Sequence, residues 1–247
     1  SHQQFRSQWF DGARLCGGLC ARSGRARPRY EIRARARGVR PDRVLPDDAG
    51  PGAGKLRSTR DSLECAAGGT YRVAEACSVP ERAHEVIARL SERVELVRHR
   101  ADRISHRPRC FLMEWVDPPF CSGHWGPELV EIAGGSDSLG RKNQPSGQVD
   151  WREVIDARPE IMVLALCGYD ISHARRDYEL LQSFPDFESI PAALDGEIYL
   201  VNASAYFARP GPRIVDSLEI LAGILHPEEF SEFASTGPDD PRIVRIG

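Results

Sequence analysis

Side chains able to do chemistry gather in three short segments: WVDPPFCSGHW (115–125), GYDISH (168–173) and NASAYFARPGP (202–212). His124 is a candidate metal ligand, but its only companions on a neighbouring segment are Asp170 and His173, and a protein metal site needs three or four converging ligands. Ser122 beside His124 suggests acyl transfer, yet no G-x-S-x-G elbow and no placed acid accompany them. No P-loop and no G-x-G-x-x-G follows a strand-like run, which argues against a nucleotide site. What the segments share is rings: Trp115, Phe120 and Trp125, then Tyr169, then Tyr206 and Phe207, each set beside a glycine or proline that stiffens its path. Rings on stiff loops suit a large, flat, partly apolar ligand, because they offer area at small entropic cost. The competing reading is that half of these rings plug the core; Tyr206 and Trp125 are the ones expected to face a cleft. Arg209 and Arg213 either meet an anionic group or are solvated. The pattern is one of binding, not catalysis.

Those segments need elements behind them. RCFLMEW (109–115), IMVLALC (161–167) and EIYLVNA (197–203) read as buried strands. GPELVEIAGG (126–135) reads as a helix with Pro127 in its first turn and Gly134 at its end. VDWREVIDARPE, SHARRDYELLQSF and PGPRIVDSLEILAGILHP supply three more helices, and PRIVRI (241–246) an edge strand. Alternating strands and helices predict a parallel sheet covered on both faces, with ligand at the carboxyl ends of its strands. Ahead of them, Val79, Ala83, Val86, Leu90, Val94, Val97, Ala101 and Ile104 recur in steps of three and four, one helical stripe. Ser78 and Glu81 match a capping box, with Pro80 in the first turn. Alanine at two stripe positions favours a packed connecting helix over a coiled coil.

The 247 residues allow one large or two small domains. The first thirty residues hold no unbroken apolar run of about 7–15, so the expectation is a cytoplasmic chain or a missing true start. Seven cysteines leave at least one unpaired. Cys16 and Cys20 lack a second pair at zinc-finger spacing, and Cys110 and Cys167 read as small core residues. Residues 1–72 hold fifteen Lys/Arg against seven Asp/Glu, while 73–247 hold eighteen against twenty-nine. The basic part is rich in Arg, Gly, Pro and Ala and has little to bury. It reads as a phosphate-contacting arm, as a stretch translated out of frame, or as a divergent domain, and the second is favoured. It lacks the interleaved aromatics of a single-strand binder, and no nucleic-acid partner is expected.

Taken together, VPERAHEVIARL (79–90), DPPFCSGHW and ELVEIAGG (117–125 and 128–135), ARPEIMVLALCGYD (157–170) and SAYFARPGPRIVDSLEILAGILHP (204–227) resemble the cobalamin-binding, helical-backbone class of ABC-transporter substrate-binding proteins. The resemblance spans residues 73–228. It implies an α/β, class III periplasmic-binding-protein-like fold: a parallel-sheet C-terminal lobe (107–228) on a long connecting helix (73–106), a poorly ordered or degenerate N-terminal lobe in 1–72, and a tail from 229 to 247. It implies Phe120, Ser122, Tyr206, Phe207 and Arg209 as ligand-site residues; the local reading adds His124, Trp125 and Tyr169. The implied cargo is cobalamin or a related corrinoid. The implied partner is an ABC permease, docked through acidic residues such as Glu128 or Glu131. No catalytic residue, catalytic cofactor or metal is expected; the chain would be a monomer in a periplasmic or extracytoplasmic place. Nothing in 1–72 matches the family's opening strand and turn. Three rivals remain open: a siderophore, haem or metal cargo in the same class, an intracellular corrinoid-handling enzyme, and a truncated product without function.

Overall fold

Strands that are apolar at every position can be buried on both faces, and successive side chains then feed opposite layers. That is the plan of the computed structural model, which describes residues 63–246. The proposed readings of the basic segment fall outside the described residues up to position 62. The elements run α1 (Leu63–Ala76), α2 (Pro80–Ala101), β1 (Cys110–Trp115), β2 (Phe120–Cys121), β3 (Gly123–His124) and α3 (Gly126–Ile132). They continue with β4 (Arg141–Lys142), β5 (Gly147–Gln148), α4 (Trp151–Ala157), β6 (Ile161–Leu164), α5 (Ile171–Leu181) and a 3-10 turn (Phe187–Ser189). The chain closes through α6 (Pro191–Leu194), β7 (Ile198–Val201), α7 (Ala203–Tyr206), α8 (Ile214–Leu225) and β8 (Ile243–Ile246).

The main sheet has the order β5-β2-β1-β6-β7-β8. Its centre, β1-β6-β7, is parallel, and β2, β5 and β8 add antiparallel margins. Cys110, Leu112, Ile161, Val163, Tyr199 and Val201 face one core, against α2, α3 and α8. Phe111, Met113, Met162, Leu164, Ile198 and Leu200 face the other, against α4, α5 and α6. The fold is therefore the covered α/β arrangement the pattern predicts. Cys110 is buried, but Cys167 lies beyond the end of β6 and is only half-buried.

Helix α2 spans 22 residues, a rod of about 33 Å at ~1.5 Å per residue. Ala83, Val97 and Ala101 are its buried positions. Leu90 and Val94 are partly buried against the core, while Val79 is exposed just outside the helix. Two arginines tie the rod to the lobe. Arg93 donates to Glu219 Oε1 at 2.8 Å and Oε2 at 2.6 Å, and to Asp216 Oδ1 at 2.6 Å, all on α8. Arg100 lies 4.2 Å from the Phe230 ring centroid and pairs with Glu232.

Two expectations about this helix need correction. The Ser78/Glu81 capping box does not form: Val79 is the N-cap with no side-chain cap bond, and Ser78 has φ 59°. Residues 63–72 are not structureless but belong to α1, which meets α2 through an edge-on Tyr71–His84 contact of 5.1 Å. Proline at the first turn starts α2, and the left-handed Ser78 turns the chain between the two helices.

Arg93→Ala should leave two carboxylates of α8 without their shared cation. The side chain is 37% exposed, so solvent screening limits the loss to about 1 kcal/mol. For a domain of this size that is a fall in Tm of about 2–4 °C; an unchanged melting curve would show that the clamp contributes nothing.

Candidate functional site

Because β1, β6 and β7 are parallel, the three loops that follow them emerge at one edge of the sheet. The loop after β1 begins with a cis Asp117–Pro118 bond and folds back as β2, antiparallel to β1. Two carboxylates then peg it. The Ser122 hydroxyl donates to Asp137 Oδ2 at 2.9 Å. The Gly123 N–H donates to Glu114 Oε1 at 3.2 Å, and the Ser146 hydroxyl donates to Glu114 Oε2 at 2.5 Å. Gly123 is forced to be glycine by this closure: a Cβ there would lie 2.1 Å from the backbone nitrogen of Ser146. His124 follows with φ 54°, a left-handed conformation that costs a non-glycine residue about 1 kcal/mol or more. It is held by the Asn143–Ser146 segment, where His124 N–H donates to Gln144 O at 2.6 Å and Asn143 N–H to His124 O at 3.2 Å. Trp125, the N-cap of α3, has its ring centroid 5.7 Å from that of His124.

The loop after β6 carries Tyr169, whose ring meets Trp115 edge-on at 5.4 Å and His173 at 5.7 Å. Asp170 caps α5 by accepting from the His173 backbone N–H at 2.9 Å. These hydrogen bonds, with the Ser172 hydroxyl and the His173 ring, hold the Asp170 carboxyl well below the usual carboxylate range. The loop after β7 is joined to the second loop by Ser204 N–H donating to Tyr169 O at 2.9 Å. Asn202 caps α7, accepting from Ala205 N–H at 3.1 Å, and the Ser217 hydroxyl of α8 donates to Tyr206 O at 2.5 Å. Arg209 is exposed, and Arg213 donates to Ala205 O at 3.2 Å.

Six of the eight candidates therefore lie on this edge with a face or more in solvent. Phe120, His124, Trp125, Tyr169 and Tyr206 are half-buried and Arg209 is exposed. Trp125 and Tyr206 rest on the same core cluster, and Tyr169 on the opposite one. Ser122 and Phe207 are not surface groups. Ser122 is 0% exposed with its hydroxyl engaged by Asp137, and Phe207 folds from the end of α7 into the α8 core. Sequence reasoning missed Glu114, Asp137 and Ser146, which shape the first loop. Glu114 had a visible signal, as the one charge inside the apolar run of β1.

Burial pushes the Asp137 carboxyl up to about 6, against hydrogen bonds from Ser122, Gly140 and Leu139 that favour the anion. Among the described residues no three His, Cys, Asp or Glu side chains converge to hold a metal ion. A hollow of about 350 Å³ between α1, α2, α3 and the start of α8 borders the edge through Glu128 and Pro212. A second, of about 510 Å³, lies at the opposite end of the strands, beside Glu197, Tyr199 and Arg245. None of the eight candidate side chains lines either hollow. No helix among the described residues is long and apolar enough to cross a membrane.

The lobe is thus a covered, mostly parallel sheet strapped to one long helix, with half-buried rings on the loops at one strand edge. Residues 70–205 match the periplasmic binding protein family model, and the chain belongs to that family. Its fold is similar to a periplasmic binding protein from Veillonella parvula, with TM-score 0.59 and 22% identity over 68% of this chain and 58% of that one. A periplasmic heme binding protein from Pseudomonas aeruginosa matches with TM-score 0.60 and 18% identity over 76% and 66% of the two chains. The periplasmic vitamin B12 binding protein BtuF of Vibrio cholerae matches with TM-score 0.53 and 19% identity over 67% and 62%. This chain thus spans from 58% to 66% of the lengths of these relatives. No curated protein matches it.

The half-buried Asp137 carboxylate sets a pH dependence. Folding raises Asp137 from 3.8 to about 6, so between those values the folded state binds more protons than the unfolded one. Its contribution to stability is present at the acid end of that window and is lost as pH rises through it. Asp137→Asn should flatten that fall, read as denaturation midpoints at several pH values; parallel profiles for the two proteins would contradict the burial. Gly123→Ala should lower Tm and speed hydrogen exchange in residues 121–125 and 143–147, because its methyl group meets backbone; normal exchange there would show that the closure is loose.

Proposed function

We propose that this chain is the substrate-binding component of an ABC importer, and that the loop edge of its sheet takes cobalamin or a related corrinoid by packing, with no covalent step. The observation that supports this most directly is the set of half-buried rings on three mutually braced loops. Trp125, Tyr169 and Tyr206 each have one face on the core, so their positions are set before ligand arrives and little side-chain entropy remains to be lost. Trp125, Tyr169 and Tyr206 supply flat area, and Phe120 and His124 flank them. Arg209 offers a cation to a polar periphery. Ser122 and Phe207 act from beneath, the first through Asp137 and the second as the floor under Tyr206. The likeness to a vitamin B12 binding protein agrees with a corrinoid. In the family such a protein delivers to a permease; Glu128, at the border of the smaller hollow, and Glu131, beside Lys142 on the same face, are the docking candidates.

A second cargo, haem, is favoured by two observations: the likeness to a heme binding protein, and two imidazoles, His124 and His173, beside rings of the same edge. Titration with cyanocobalamin, followed by quenching of intrinsic tryptophan fluorescence, separates the cargoes. A saturable quench is expected. Tyr206→Ala should weaken it by more than about 1 kcal/mol, as for a buried aromatic anchor. An unchanged Kd removes Tyr206 from the site. Silence with cyanocobalamin and a Soret shift with haemin would transfer the proposal to haem.

A further inference from the structure

Glu114 is a carboxylate where the fold alone would be better served by a neutral side chain. It sits near the end of a strand whose other residues are apolar, and its hydrogen bonds come from neutral donors, the Ser146 hydroxyl and the Gly123 N–H. Loss of water pushes its carboxyl above the ordinary value, and the two hydrogen bonds and the neighbouring His124 only partly oppose this. Asp137 and Cys121 are close enough to feel its charge, and Arg141 faces Cys121 from β4. An anion enclosed this way costs stability at neutral pH, and groups kept at such a cost concentrate where a protein functions.

Its contacts show what it controls. Gly123 precedes His124 and Trp125 directly. Ser146 ends the segment whose Asn143 and Gln144 hold the left-handed His124. One side chain thus straps both halves of the turn that carries two of the rim rings. We propose that Glu114 is a positioning residue for the ligand rim: its carboxylate fixes the pose of His124 and Trp125, and the protein gains affinity there by giving up fold stability. The inference rests on the reading of this edge as the ligand site. A structural residue and a positioning residue then differ in sign. Acidification that protonates Glu114 stabilises the fold while it loosens the rim, so stability and affinity move in opposite directions.

The test is Glu114→Gln in the full chain, which keeps the size and one acceptor for Gly123. At pH 7.5 its Tm should equal or exceed that of the wild type, while the Kd for cyanocobalamin rises by about tenfold, the scale of losing a supporting partner. The loss of affinity expected of the wild type on acidification should flatten. Ser146→Ala, which removes one strap and leaves Glu114 in place, should weaken binding in the same direction. A lower Tm with unchanged Kd in Glu114→Gln would overturn the proposal and make the residue structural. If the wild type does not bind cyanocobalamin, the corrinoid reading fails by itself. Glu114 is then judged on the free protein by NMR: the Gly123 amide and the Trp125 indole should titrate together with acid in the wild type and not in Glu114→Gln. Identical titrations in the two proteins would overturn it.

Discussion

Burial of β1, β6 and β7 on both faces is the constraint from which the rest follows. A strand without a polar face cannot sit at a surface, so helices must cover the sheet on each side. Parallel neighbours need a crossover between them, and each crossover here contains two helices, with four short strands added in the one between β1 and β6. The same geometry sends every loop that follows a central strand to one edge. Three chain segments separated by dozens of residues therefore meet there, and no feature of the loops themselves is needed to bring them together.

The long helix α2 belongs to the same compact unit as this sheet. It does not reach the core by a wide apolar face; its buried side chains are few and two of them are alanine. Close approach at those small residues lets arginines on the flank finish the contact. Arg93 reaches two carboxylates of α8, and Arg100 lies against Phe230. Charge-assisted bonds at a half-exposed boundary are individually modest, but they fix rotation about the helix axis in a way that small apolar residues cannot.

At the loop edge the balance between stability and order is reversed. Trp125, Tyr169 and Tyr206 are stable because one face of each is against the core, yet the turn at Gly123–Trp125 is held by half-buried carboxylates and a left-handed histidine, each of which is unfavourable locally. Such a turn persists only because several partners over-determine it: Ser122 with Asp137, Gly123 and Ser146 with Glu114, His124 with Gln144 and Asn143. A rim organised before ligand arrives loses less entropy on binding, which is the physical sense of maintaining an unfavourable turn.

Much of the scaffold was legible because burial imposes a period. The alternation of apolar strands with amphipathic helices named the α/β class, the central strands and an edge strand within 241–246, which forms over Ile243–Ile246, and prolines and glycines marked the ends of α3 and α8. The stripe from Val79 to Ile104 announced α2 but overran it at both ends, since an apolar spacing does not say where a left-handed Ser78 breaks the chain or which stripe residues meet a partner. The capping box read at Ser78–Glu81 was absent, whereas one at Asp150–Glu153 formed unnoticed; the same residue types cap only if the preceding backbone is extended. In the rim, residue type identified the rings and the cations. It could not show that Ser122 and Phe207 turn inward, or that Glu114, Asp137 and Ser146 set the pose of the turn. Local sequence determines periodicity and the chemical groups available. Which groups lose water, and which carboxylate meets which hydroxyl across thirty-two residues of chain, is decided only when the sheet and its loops close together in space.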